Sequence, residues 1–297
     1  MFQRLIQLKD VSPLFDVDMT RLDLLAWALV ALFFGSNAAL FGGNVQQALW
    51  NALSIVLLML CISHSIDLIL RALSRNARLG EITGYLTNGP EALVLLVGLL
   101  HHKLTVAMGV PLGSNYANPL LMLVAACITG SVIGMIRQNP VRTGLILLVS
   151  MTLAGRFFWV KGHPQDLLIW AVVTLLISVL MYIKKGSESD VEGGEGDDEL
   201  PEPISFWYVF PAGVLLVIAG YFLDPVVSQA AQVSHVPEGV ISFVVLSFMT
   251  SWPEFRAALA LFRRHQPGAA VMNIVVSNLT NLWLAVSGAF LYLLSFR

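Results

Sequence analysis

Two glutamates set in apolar sequence are the residues of this chain best suited to chemistry. Glu91 ends the run Thr-Asn-Gly-Pro-Glu that starts at Thr87, and Glu254 ends Thr-Ser-Trp-Pro-Glu from Thr250. Each Glu is followed 23 residues later by a Ser-Asn pair, Ser114-Asn115 or Ser277-Asn278, and then by Asn118 or Asn281. All of these positions, with Pro90 and Pro253, repeat at one offset of 163 residues. Carboxylate, hydroxyl and amide oxygens are hard donors, the class that Na⁺ and Ca²⁺ prefer. An acidic side chain at the centre of a membrane helix costs about 2.5–3.5 kcal/mol to insert, so it needs a cation, a proton or hydrogen-bond donors. A duplicated, oxygen-rich constellation of this kind reads as a cation pathway.

The spacings place these groups together. Thr87 and Glu91, Thr250 and Glu254, Ser114 and Asn118, and Ser277 and Asn281 are each four apart, so each pair shares a helix face. Pro90 and Pro253 lack an N–H, which frees the carbonyls of Leu86 and Met249 and opens the helix beside each carboxylate. Gly84 and Gly89 allow a neighbouring helix to approach the first copy. A single Ser-Asn pair is ordinary helix–helix glue. Glue does not require the same six positions at one offset, and two carboxylates suit one divalent cation, or monovalent cations or protons in exchange.

The elements that position these groups are membrane helices. The chain has 297 residues, 57% hydrophobic and 12% charged, with a mean hydropathy of +0.76, against about 25% charged in soluble domains. Nine apolar stretches fall near 23–41, 47–70, 79–100, 104–134, 143–160, 165–183, 205–231, 239–261 and 267–295. Their continuous apolar character excludes a membrane β-barrel. The fold class expected is an all-α polytopic membrane protein built as an inverted-topology repeat transporter. Arg71, Arg75, Arg78, Arg137, Arg142, Lys184, Lys185, Arg263 and Arg264 all fall in connections on one side, with Arg4 and Lys9 of the N-terminus. The positive-inside rule then puts the N-terminus in the cytoplasm and the C-terminus outside. The Glu91 span runs outward and the Glu254 span inward, so the copies are antiparallel, a recurring transporter design with its site at the midplane.

The organisation expected is an N-terminal segment and extra helix (1–46), a first five-helix repeat (47–185), an acidic linker (186–203) and a shortened three-helix second repeat (204–297). The linker holds eight carboxylates and reads as solvated chain. The N-terminus is too polar for a signal-peptide core. Asp67 is expected to pair with Arg71, Cys61 and Cys127 to be small buried hydrophobes, and Trp159, Trp207 and Tyr208 to lie in the interfacial aromatic belt. No basic cluster suggests nucleic acid, and the sequence has no His-Glu-x-x-His or Gly-x-Ser-x-Gly context for an enzyme. The partners expected are small cations and the lipid bilayer, with no cofactor.

The two segments resemble the α-repeats of the Ca²⁺/cation antiporter superfamily, whose sodium/calcium exchangers read G-T-S-x-P-E and G-N-x-x-G-S-N-x-x-N/D. The resemblance covers roughly 47–134 and 205–295, with Asp67 in Ile-Asp-Leu-Ile-Leu similar to the family's A-D-x-L-V. It implies that Glu91 and Glu254 are the principal Ca²⁺ ligands, with Thr87 and Thr250 beside them at the metal. Ser251, Ser114, Ser277, Asn118 and Asn281 would complete the sodium and calcium sites. It also implies Ca²⁺ exchange against Na⁺, with outer helices sliding past the site-bearing ones; a bacterial inner membrane suits the compact chain. Cation/proton exchange through the same glutamates, or a non-transporting sensor or scaffold, are the alternatives. Departures bear on ion choice: Asn88-Gly89 removes a hydroxyl, Val110 replaces an Asn, Met272 and Val276 replace glycines, and Asn281 supplies no third carboxylate. Two C-terminal helices of the family are missing, and the 23–41 helix is expected to fill the vacant place.

Overall fold

The computed structural model describes residues 21–73, 88–137, 140–184 and 205–295, without the side chains at 67, 70, 71, 73 and 140. Thr87, the linker and the expected Asp67–Arg71 pair therefore lie outside the described residues. Among those described, every regular element is helical, and seven helices are long and apolar enough to cross a membrane. The protein is an all-α polytopic membrane protein.

The described helices fall into two compact units. The first holds α1 (Arg21–Leu40), α2 (Val45–Leu73) and α8 (Val209–Ser234), the last preceded by a 3₁₀ turn, Phe206–Tyr208. Helix α2 packs along α8, and α1 packs on both. Sequence chemistry sets the α1–α2 turn. Gly42 takes a left-handed φ of 74°, and Asn44 Oδ1 accepts the Gln47 N–H at 3.1 Å, a side-chain cap on the first turn of α2. Gly43 lies so close to the Val233 carbonyl that no side chain fits, and the Asn44 N–H bonds that same carbonyl at 3.1 Å.

The second unit holds α3 (Gly89–Leu100), α4 (Leu104–Thr129), α5 (Val132–Arg137), α6 (Pro140–Val160) and α7 (Pro164–Lys184) from the first copy. From the second copy it holds α9 (Glu238–Val240), a π-helical stretch Ile241–Leu246, α10 (Ser247–Thr250), α11 (Trp252–Arg263) and α12 (Pro267–Ser295). Proline begins α6, α7 and α12, where its missing N–H costs nothing and its φ suits a helix. Each copy thus gives its first helix to one unit and its remaining helices to the other.

Two expected spans are interrupted. The 104–134 stretch breaks at Gly130, which takes φ 68° as a left-handed C-cap while Ser131 N–H returns to Ala126 O at 2.8 Å. The 239–261 stretch is divided by the π-helical turn and again at Ser251.

Apolar transfer does little to hold helices together in lipid, so close packing and buried polar contacts must do so. Leu95, Met108, Leu112, Phe157, Trp170 and Leu282 form the apolar core of the second unit. Trp170 Nε1 donates to Leu153 O at 2.8 Å within it. Outward faces carry Leu24, Leu32, Leu57, Leu148, Ile169 and Phe222, as lipid contact requires. Trp159 and Trp207 stand outward near helix ends. The cysteines depart from expectation: both are free thiols, Cys61 is half-buried and Cys127 faces outward. Both sit on helices whose buried faces are taken by neighbouring residues, such as Met59 and Ile62 on α2 and Ala125 and Ala126 on α4.

Candidate cation site

Glu91 and Glu254 do not sit inside unbroken helices. Asn88 and Ser251, at equivalent positions, adopt nearly the same backbone conformation (φ −84°, ψ 12° and φ −80°, ψ −1°). A new helix starts after each, with Pro90 or Pro253 in its first turn. Both residues occupy the sparsely populated bridge region that recurs at functional sites. The break puts each carboxylate in the first turn of a helix, where free N–H groups and the helix dipole favour negative charge by about 0.3–1 kcal/mol.

Small residues let the helices meet. A side chain at Gly113 would run into the Phe243 carbonyl and lie 2.7 Å from Ser247, and one at Gly109 would lie 2.8 Å from Ser242. The Gly109-x-x-x-Gly113 face of α4 therefore packs directly on the π-helical stretch, and Ser242 Oγ donates to Val106 O at 2.6 Å. Ser247 Oγ donates to Phe243 O within that stretch. This contact brings Thr250 to the first copy.

Glu91, Glu254, Ser114, Asn118, Thr250, Ser251, Ser277 and Asn281 are all buried, none more than 1% exposed. Ser114 Oγ donates to Glu91 Oε1 at 3.3 Å and lies 3.3 Å from Thr250 Oγ1. Thr250 Oγ1 in turn donates to Ser247 O at 3.1 Å. The Ser114 and Thr250 hydroxyls thus lie together beside Glu91. Glu254 lies one turn beyond Thr250 and within electrostatic range of Glu91.

The second contact lies where α4 and α12 cross. Asn118 Nδ2 donates to Ser277 Oγ at 3.0 Å and to Asn278 Oδ1 at 3.1 Å. Ser277 Oγ donates to Asn88 Oδ1 at 3.0 Å. Asn278 Nδ2 donates to the Asn115 carbonyl at 3.1 Å, a bond between positions 163 apart, and to Ser150 Oγ at 3.3 Å.

Several buried atoms have no hydrogen-bond partner among the described residues. They include Glu91 Oε2, both carboxylate oxygens of Glu254, Ser251 Oγ, Asn118 Oδ1 and both polar atoms of Asn281. Each unpaired buried polar group costs about 1–3 kcal/mol, more where charged, unless something meets it. The unpartnered atoms of this cluster are oxygens apart from the Asn88 and Asn281 amide nitrogens. They fit a hard cation taken up as substrate.

The structure thus gathers eight of the nine sequence-predicted residues into one unit; Thr87 lies outside the described residues. Asn88, Asn278, Ser150 and Ser247 were missing from the predicted set. Asn278 shares the repeat offset and was available to notice. Ser150 and Ser247 are single hydroxyls in apolar runs, and nothing in the sequence marks them out. One further repeated pair is His102 and His265, also 163 apart, which take φ of 57° and 59° in the turns leading into α4 and α12.

Comparison with known proteins agrees with this geometry. Residues 204–294 match the sodium/calcium exchanger protein family. The chain is 25% identical over 209 residues to the inner membrane protein YrbG of Escherichia coli (strain K12), covering 66% of this chain and 63% of that one. It is 25% identical over 211 residues to a protein of Alkalimonas amylolytica named "Putative antiporter CaxA", covering 68% and 65%. An uncharacterized membrane protein of Methanocaldococcus jannaschii is 25% identical over 217 residues, covering 70% and 68%. The chain spans a little under two thirds of the first two relatives. The duplicated helix breaks, the buried oxygen cluster and these likenesses agree: over residues 204–294 the chain is similar to the sodium/calcium exchanger protein family, and over some two thirds of its length to membrane proteins that include one named a putative antiporter.

Proposed function

We propose that this protein is a secondary active transporter that exchanges Ca²⁺, or a related cation, against Na⁺ through the site carrying Glu91 and Glu254. The observation that carries the reading is the pair of carboxylates, fully buried in first turns of broken helices and leaving three of four oxygens without a protein partner among the described residues. Such charge needs a transient counter-ion, and a transported cation supplies one. The exchanger-family match over 204–294 supports the same class.

The loop charges support a cytoplasmic N-terminus, an external C-terminus and antiparallel copies, so that one site faces each side in turn. Sliding of α2 and α8, the first helix of each copy, would provide the alternation. A bacterial inner membrane suits this arrangement. The helices would be held by lipid, with small cations as the only substrates and no cofactor.

Flux into proteoliposomes tests the reading. Ca²⁺ uptake driven by an outward Na⁺ gradient, lost in Glu91→Gln/Glu254→Gln, is the expected result. Uptake driven only by a proton gradient, and lost in the same variant, turns the reading into cation/proton exchange. Identical behaviour of wild type and variant under every gradient makes the protein a non-transporting sensor or scaffold.

A further inference from the structure

The two half-helices that carry the glutamates differ on the face turned away from the site. Helix α11 exposes Arg256, Ala257, Ala260, Arg263 and Arg264, while its Glu254 is buried. Arg256, Ala260 and Arg263 are spaced by four and three residues, so they line one face of the helix. The matching residues of α3 are Leu93, Val97 and Leu100, of which Leu100 is exposed and the others half-buried. One half-helix thus carries a basic outer face where its counterpart is apolar.

Arg256 is the unexpected member of that face. Arg263 and Arg264 stand at the end of α11, where basic residues suit both the helix dipole and a membrane surface. Arg256 lies seven residues before Arg263, about 10 Å deeper along the axis at 1.5 Å per residue. It follows the buried Glu254 by only two residues. A charge at such depth is costly, and ionisable residues kept inside membrane helices mark functional positions. Leu93 shows that the equivalent position in the other copy is filled without a charge. Residues two apart leave a helix in nearly opposite directions, so the guanidinium is directed away from the Glu254 carboxylate. At a separation on the order of 10–15 Å it is too far to bond an ion at the glutamates and near enough to act through its field.

We infer that Arg256 is a selectivity residue. Its charge opposes any cation in the cluster around Glu91 and Glu254, and opposes a divalent ion twice as strongly as a monovalent one, which shifts the site toward Na⁺ and away from Ca²⁺. The inference rests on the cation-antiporter reading. An effect carried by the field alone scales with the charge of the ion, so the fold-change for Ca²⁺ is the square of that for Na⁺. Replacing Arg256 by a neutral residue changes the local charge by one unit, whatever else the guanidinium meets.

The test titrates purified full-length protein in detergent with Na⁺ alone and with Ca²⁺ alone, in wild type, Arg256→Leu and Arg256→Lys. The leucine variant copies the first repeat at this position, and the lysine variant keeps the charge. Arg256→Leu is expected to bind Na⁺ about threefold and Ca²⁺ about tenfold more tightly. Arg256→Lys is expected to stay within about twofold of wild type for both ions. Arg256→Gln carries the same comparison if the leucine variant does not fold. Equal fold-changes for the two ions, no change, or the same change in the lysine variant overturn the selectivity role and leave the transport reading intact. A wild-type protein that binds neither ion overturns both.

Discussion

Pro119 and Leu282 occupy equivalent positions, and the two halves of the site around them are in different states. On the first copy, Glu91 has one oxygen held by Ser114, and Asn88 accepts from Ser277. On the second, Glu254 has neither oxygen held by a described residue, and Ser251 Oγ is unengaged; the amide oxygens of Asn118 and Asn281 are open in both copies. The residue types at the motif positions are almost the same in both copies. Among the differences, Asn88 against Ser251 and Gly89 against Trp252 included, Pro119 removes one backbone N–H that Leu282 keeps, and with it changes the supply of hydrogen-bond donors. Repeated sequence therefore does not guarantee repeated chemistry. A neutral donor and a cation compete for the same oxygen lone pairs, and the half that finds donors within the protein leaves fewer for the ion.

The largest expected effect separates the two glutamates. Glu254→Gln removes a carboxylate with both oxygens open, and loss of a buried charged partner costs about 2–5 kcal/mol. Cation affinity is expected to fall on the order of 100-fold, at 1.4 kcal/mol per tenfold. Glu91→Gln keeps an acceptor for Ser114 and loses one open oxygen, so about tenfold is expected. Calorimetric titration of both variants with Ca²⁺ measures the ratio. Equal losses would mean that the two copies share the ion evenly.

Much of this contrast was legible in sequence, and the part that was not has a physical reason. The offset of 163 residues located both helix breaks, because a Pro two residues into a helix leaves the same local signature in either copy. Burial of the carboxylates followed from their types. The hydrogen bonds of Ser277 and Asn118 did not, because a hydroxyl or amide has the same spelling whichever neighbour it bonds. That choice depends on distant donors such as Asn278 and Ser150.

A smaller effect tests the origin of the asymmetry. Pro119→Leu gives the Asn115 carbonyl a helical donor, as Leu282 does for Asn278. Asn278 then loses its fixed orientation, and the chain to Asn88 loses its forced direction. In that background, the stability lost on Asn88→Ala is expected to shrink. A double-mutant cycle in thermal unfolding should give a coupling of about 1 kcal/mol between positions 119 and 88, although the chain joining them passes through three other side chains. A coupling of zero would mean that Asn88 and Ser277 bond independently of the proline, and that the difference between the halves has another source.

The smallest expected effect on cation affinity comes from Ser150 on α6, outside both copies of the motif. It accepts the second Asn278 N–H and donates to Leu147 O, so it helps to fix the amide without touching an ion ligand. Ser150→Ala leaves one buried N–H unsatisfied and should cost about 1–3 kcal/mol in thermal unfolding. Ser178→Ala is the matched control: that hydroxyl is equally buried and accepts the Trp283 indole N–H at 3.0 Å. The two variants are expected to lose similar stability, and neither is expected to change cation affinity by more than about twofold. A larger affinity change confined to Ser150→Ala would mean that the orientation of Asn278 reaches the ion. The Asn278 hydrogen bonds and the open oxygens around the glutamates would then be one network, joined across the hydrogen bond between the equivalent asparagines.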